Sequence, residues 1–175
     1  MSERGALACC LRAVTCASET ADTMKIVEFL HPGAVVDDLA GKTAQSVLGE
    51  LSRPLAASHK LDPQRLLDTL LEREKLGSTG IGDGVAIPHG KVPGLPVLMA
   101  SFGRSRGGVD FKAIDGKPTY LFFTLFAPEN SAGAHLKALA RISRIFKSPA
   151  FRDSILKATD AGEIYRLIET EDAKY

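Results

Sequence analysis

One histidine, His89, stands between Pro88 and Gly90 at the end of the run Gly77-Ser78-Thr79-Gly80-Ile81-Gly82-Asp83-Gly84-Val85-Ala86-Ile87. An imidazole is nucleophilic near neutral pH, because its reference pKa of about 6.5 leaves a lone pair on one ring nitrogen. Glycines let backbone N–H groups approach an anion with no side chain in the way. Proline fixes its own φ and drives Ile87 towards an extended backbone, while Gly90 is expected to free the chain to turn away. The pattern presents an imidazole at a stiff strand end beside a loop of amide donors. That arrangement suits a histidine that takes up a phosphoryl group.

Two further side chains could complete such a site. Arg73 precedes the glycine run at the end of a predicted helix, where a guanidinium can reach back and hold phosphate oxygens through two parallel bonds. His135 falls near the start of another predicted helix, and helix N-termini attract anions. Each has a plainer reading: His89 as a brace for a turn, Arg73 as a cation at a helix end, His135 bonded to helix backbone. His31, before Pro32, and His59, beside Lys60, read as solvated ends of elements. The four histidines show no metal-ligand spacing, so no metal is expected, and nothing in the chain asks for a cofactor. Gly41-Lys42-Thr43 fails as a phosphate-binding P-loop, because Val36 stands where a glycine is required. Gly80, Gly82 and Gly84 fail as a dinucleotide fingerprint for want of its last glycine.

The elements that must position these groups alternate between helical and extended patterns from Met24 onward. Ile26–Leu30 is short and ambiguous, and Val35-Val36 fits an edge strand. Thr43–Ser58 carries helical periodicity, with Pro54 expected to kink or split it. Asp62 and Pro63 make a helix start, as N-cap and N1, and Leu66, Leu67, Leu70 and Leu71 form its apolar stripe. Val85–Ile87 and Val97–Phe102 read as strands, Gly107-Gly108 and Asp115-Gly116 as turns. Thr119–Ala127 is apolar on both faces and reads as a central strand. Ser131 is the expected cap of a helix over 132–146, with Leu136, Leu139, Ala140 and Ile145 inward and Lys137, Arg141 and Arg144 outward. Pro149 starts a helix through Ile155, and Glu163–Glu169 closes the chain. Strands interleaved with helices predict an α/β domain whose sheet is covered on both sides.

At 175 residues the chain suits one domain, and a body of about 150 residues buries enough surface to fold without disulfides or metal. A net charge of +1 gives no broad footprint for nucleic acid or anionic lipid. No apolar run approaches the ~18 residues of a membrane span, so no membrane insertion is expected, and the lack of export signals suggests a cytoplasmic location. The three cysteines, Cys9, Cys10 and Cys16, all lie before Met24 and form no disulfide framework. Residues 1–23 read as a disordered extension and 24–175 as the domain.

The run Arg73-Glu74-Lys75-Leu76-Gly77-Ser78-Thr79-Gly80-Ile81-Gly82-Asp83-Gly84-Val85-Ala86-Ile87-Pro88-His89-Gly90-Lys91 resembles the active-site signature of fructose/mannitol-type IIA domains of the bacterial phosphotransferase system. The stand-alone, nitrogen-regulatory IIA branch is nearest. Phe111–Pro118, the apolar strand after it, and Ala127-Pro128-Glu129-Asn130 leading to His135-Leu136 fit as well. The resemblance runs from Met24 to the C-terminus. It implies a mixed β-sheet flanked by helices on both sides, with His89 as phosphoacceptor through Nε2. It also implies Arg73 and His135 as its active-site partners, and Gly77, Ser78, Thr79 and Gly80 as phosphate-loop support. The implied function is a phosphocarrier that accepts from an HPr-like phosphohistidine protein and acts as a nitrogen-pathway regulatory switch on target proteins. The alternatives are a IIA subunit of sugar uptake, passing phosphate to a IIB domain, and a regulatory binding module without turnover. No IIB or membrane domain is fused to the sequence, which favours regulation.

Overall fold

The computed structural model describes residues 24–175; the expected extension 1–23 and its cysteines lie outside them. A mixed sheet of six strands runs through the domain. Its middle is β6 (Thr119–Pro128), buried along nearly all its length as its two apolar faces require. It pairs antiparallel with β5 (Met99–Val109), and β1 (Leu30–Val36) adds parallel to β5 as the outer edge. On its other side β6 pairs in parallel with β3 (Val85–Ala86) and β4 (His89–Val92). The short β2 (Gly80–Gly82) closes a hairpin on β3.

Helices α1 (Ala44–His59) and α2 (Pro63–Lys75) cover one face of the sheet. There Leu48, Leu51, Leu66 and Leu70 pack in one core with Phe111, Phe122 and Phe126. Helices α3 (Ala132–Phe146), α4 (Pro149–Lys157) and α5 (Ala161–Asp172) cover the other. Ile142, Phe146, Ile155 and Ile164 there join Phe102, Phe123 and Leu125. The expected α/β sandwich is therefore the observed one. Pro54 sits within α1 without dividing it. Asp62 caps α2 by accepting the Gln64 N–H at 2.9 Å, with Pro63 at the first helical position, as its chemistry predicted.

The segment that carries His89 is anchored to the sheet on both sides. Val85 and Ala86 face Leu121 and Phe122, while His89 and Gly90 face Leu125 and Phe126, so β3 and β4 keep one register along β6. The break between them is Ile87-Pro88. Proline has no N–H to give, but its carbonyl still accepts the Leu125 N–H at 2.9 Å. Gly90 does not turn the chain away as expected; it lies inside β4. A Cβ there would stand 2.4 Å from Thr69 Cγ2 of α2, so its bare backbone lets that helix lie close against the strand.

Other departures have local causes. Gly107-Gly108 is a bulge within β5 rather than a turn, with Gly108 at φ 70°, and β5 begins at Met99 instead of Val97. In α3 the phase differs from the expected one. Ala138, Ile142, Ile145 and Phe146 face inward, Ala140 is exposed, and Leu136 is 67% exposed. Arg141, expected outward, turns in to pair with the buried Asp172 of α5. Ser131 opens α3 but does not cap it, because its hydroxyl donates to the Pro128 carbonyl at 2.7 Å.

Candidate functional site

Three segments distant in sequence converge on one half-buried ring. β4 begins with His89, α2 ends beside it with Arg73, and the first turn of α3 brings His135. His89 Nδ1 lies 2.8 Å from the Ile87 carbonyl oxygen. A carbonyl only accepts, so in the neutral ring Nδ1 holds the proton and Nε2 the lone pair. Arg73 Nε donates to that Nε2 at 3.3 Å, and its Nη1 donates to the Gly77 carbonyl at 3.0 Å. The His135 ring meets His89 edge-on, with centroids 5.4 Å apart. Its Nε2 is buried and has no hydrogen-bond partner among the described residues.

The electrostatics favour the uncharged form of both rings. Burial is the largest influence on His89 and lowers its pKa; the Arg73 cation lowers it further, against the raising effects of the Ile87 carbonyl and the Glu74 carboxylate. His135 is lowered by burial first, then by His89 and Lys91. A neutral imidazole with one nitrogen committed as donor and the other facing a guanidinium is a nucleophile waiting beside a cation. Lys91 lies two residues along β4, on the same side as His89, and its Nζ donates to the Glu129 carbonyl at 3.2 Å.

Several N–H groups of the glycine run have partners within the protein. The Gly77 N–H donates to the Glu74 carbonyl at 3.1 Å, and the Thr79 N–H to both Glu74 carboxylate oxygens, at 3.1 Å each. The Thr79 hydroxyl adds a third bond to Glu74 at 2.6 Å. The Gly80 N–H donates to Ser78 Oγ, whose own proton goes to the Phe111 carbonyl. These donors are spent inside the loop, because a hairpin held against buried neighbours must satisfy its own backbone. The Gly77, Thr79 and Gly80 N–H groups and the Ser78 hydroxyl are thus committed, and the Ser78 N–H meets no acceptor among the described residues. Glu74 was missed in the sequence, where an acid in a helix's last turn reads as a solvated charge; its one signal was its place between Arg73 and Thr79. Uncommitted amides lie also at the start of α3, which no side chain caps.

Two large apolar side chains on these segments are exposed: Leu76, next to the end of α2, at 84%, and Leu136, beside His135. His31 and His59 lie exposed, His31 Nδ1 accepting the Gly33 N–H and His59 Nδ1 bonded near the end of α1. Neither belongs to the site. Among the described residues no helix is long and apolar enough to cross a membrane.

Comparison with known proteins agrees with this fold. Residues 28–171 match the family described as phosphoenolpyruvate-dependent sugar phosphotransferase system, EIIA 2. The chain is 37% identical over 145 residues to a nitrogen regulatory protein of Bradyrhizobium diazoefficiens, covering 83% of this chain and 95% of that one. It is 35% identical over 150 residues to the fructose-specific EIIABC component of Bacillus subtilis, covering 85% of this chain and 24% of that protein. Among solved structures, the nitrogen regulatory protein IIA-Ntr from Neisseria meningitidis superposes with a TM-score of 0.77 at 36% identity. That match covers 82% of this chain and 98% of the other.

Proposed function

Because the chain belongs to the EIIA 2 family of the phosphoenolpyruvate-dependent phosphotransferase system, a phosphotransfer component, we propose that it carries a phosphoryl group on His89 Nε2. The observation that carries this reading is the pairing of the two ring nitrogens: Nδ1–H held by the Ile87 carbonyl, Nε2 turned to Arg73. Nε2 attacks phosphorus in line on a phosphohistidine of an HPr-like carrier. A P–N bond forms on His89 as the donor's P–N bond breaks. The donor imidazole leaves with that electron pair, kept neutral by the proton on its other nitrogen. The cationic ring formed on His89 keeps its Nδ1 proton on the Ile87 oxygen.

Arg73 surrenders its bond to Nε2 as the new bond forms and donates to the phosphoryl oxygens instead. His135 lies beside the ring, with centroids 5.4 Å apart. Charge in such a transfer spreads over three oxygens, so donors count for more than acid–base groups. Each charge-assisted bond is worth roughly 1.5–3 kcal/mol, enough for a few to hold the adduct.

The nitrogen-regulatory relative, spanned over 95% of its length, favours a switch whose target binding differs between the two states. Phosphorylation adds about −1.5 to −2 charge at the site, which changes which surfaces dock there. The fructose-specific relative supports a second reading, transfer onward to a IIB domain. Incubation with enzyme I, an HPr-like carrier and phosphoenolpyruvate, followed by intact-mass measurement, is expected to give one acid-labile phosphoryl adduct. No adduct on the wild-type chain sinks both readings. Transfer onward to a fructose-type IIB sinks the switch in favour of uptake.

A further inference from the structure

The two neighbouring residues at the end of α2 reach the two nitrogens of one imidazole by different routes. Arg73 meets Nε2 directly. Glu74 reaches Nδ1 through the backbone. Its carboxylate accepts the Thr79 N–H and hydroxyl; the Thr79 carbonyl accepts the Ile87 N–H at 3.0 Å; the Ile87 carbonyl accepts the His89 Nδ1–H at 2.8 Å. Thr79 is only 5% exposed and Ile87 is buried, so neither link competes freely with water. The donor and acceptor of Thr79 belong to adjacent peptide groups, as do those of Ile87, so the link fixes positions through the backbone, and the bonds to a carboxylate are its strongest members.

We propose that Glu74 is a positioning residue for phosphoryl transfer, fixing the Ile87 carbonyl so that His89 keeps its proton on Nδ1 and offers Nε2. The proposal rests on His89 being the acceptor. Glu74 touches neither the ring nitrogens nor the transferred group; it acts through Thr79 and Ile87. Two observations separate this role from a simple turn brace. The carboxylate spends both oxygens on Thr79, the residue whose carbonyl holds Ile87. The Ile87 N–H donates to the Thr79 carbonyl, but the Thr79 N–H that could return the bond goes to Glu74, which leaves the Ile87 carbonyl to the imidazole.

The test uses the full chain labelled with 15N, observed near pH 8, where the ring is neutral. In the wild type the His89 Nδ1 proton is expected to give a signal protected from solvent exchange. In Glu74→Ala that signal is expected to be lost to exchange, with transfer from the phosphorylated carrier slowed about tenfold and the backbone amide spectrum otherwise retained. Glu74→Gln keeps an acceptor for Thr79 and is expected to restore the signal and most of the rate. Should Glu74→Ala not fold, Thr79→Val, which removes the hydroxyl arm alone, is expected to speed the proton's exchange by several-fold. An Nδ1 proton equally protected in wild type and folded variants overturns the proposal. So does a Glu74→Gln variant as slow as the alanine, because the role would then be charge rather than position. The proton signal reads the Glu74 link even in a chain that takes no phosphate, so failure of the acceptor assignment is recognisable separately.

Discussion

Arg73 and Arg104 are the same residue in opposite circumstances. Arg104, on β5, is fully buried: Nε donates to the Asp37 carbonyl, Nη2 to the Asp37 carboxylate, and Nη1 to the carbonyls of Ile155, Leu156 and Ala158 at the end of α4. Each of its nitrogens is committed. Arg73 is partly exposed and holds one imidazole and one carbonyl; its Nη2 meets no acceptor among the described residues. The saturated cation is architecture, joining the loop after β1 to the end of α4. The unsaturated one has donors to lend. The lesson is that a guanidinium's role is legible from the donors it leaves over, more than from its charge.

Several measurements can break or sharpen that contrast. The largest effect belongs to the nitrogen Arg73 faces: His89→Ala is expected to abolish the acid-labile adduct by mass spectrometry while leaving the urea midpoint close to wild type. Arg104→Met strands the Asp37 carboxylate and several buried carbonyls. It is expected to cost about 3–5 kcal/mol of stability in urea titrations, since breaking one partner of a buried pair leaves the other uncompensated. Arg73→Ala is expected to do the reverse, slowing transfer about 10- to 100-fold in rapid-quench assays with stability nearly unchanged. An Arg73 variant as unstable as the Arg104 variant breaks the contrast. Gly90→Ala forces a methyl against Thr69 and is expected to cost about 1–3 kcal/mol, recovered largely by Thr69→Ser, which removes the offending Cγ2.

The smallest effect is in pH. The folded pKa of His89 lies below its unfolded value of about 6.5, so the unfolded chain binds more protons between those two values. The stability linked to this ring is present above about pH 6.5 and is lost as pH falls through the lowered folded pKa. Unfolding free energies are expected to decline across that window in the wild type and less steeply in His89→Ala. Phosphoryl acceptance is expected to hold steady to somewhat below pH 6.5 before it falls. A rate that drops already at pH 7 contradicts a neutral, lowered imidazole.

Much of this molecule could be read along the chain. The cap and stripe of α2 and the doubly apolar β6 are local patterns, and local patterns survive folding. What could not be read depends on partners far away in sequence. Arg141 looks like an outward charge until Asp172, 31 residues on, arrives beneath it. Gly90 looks like a pivot until Thr69 of α2 is laid against it. The glycine run also serves packing that its sequence does not announce: Gly80 passes so close to Ala113 that a Cβ would lie 2.8 Å away. Arg104 drew no notice, because nothing near it in sequence marks a cation for burial.

The unbroken alignment of β3 and β4 along β6, on either side of Pro88, leaves the backbone at His89 little room to rearrange. If the proposed phosphoryl transfer holds, partner proteins are expected to meet the same preset shape, with exchange limited by productive encounter rather than by a rearrangement of this backbone.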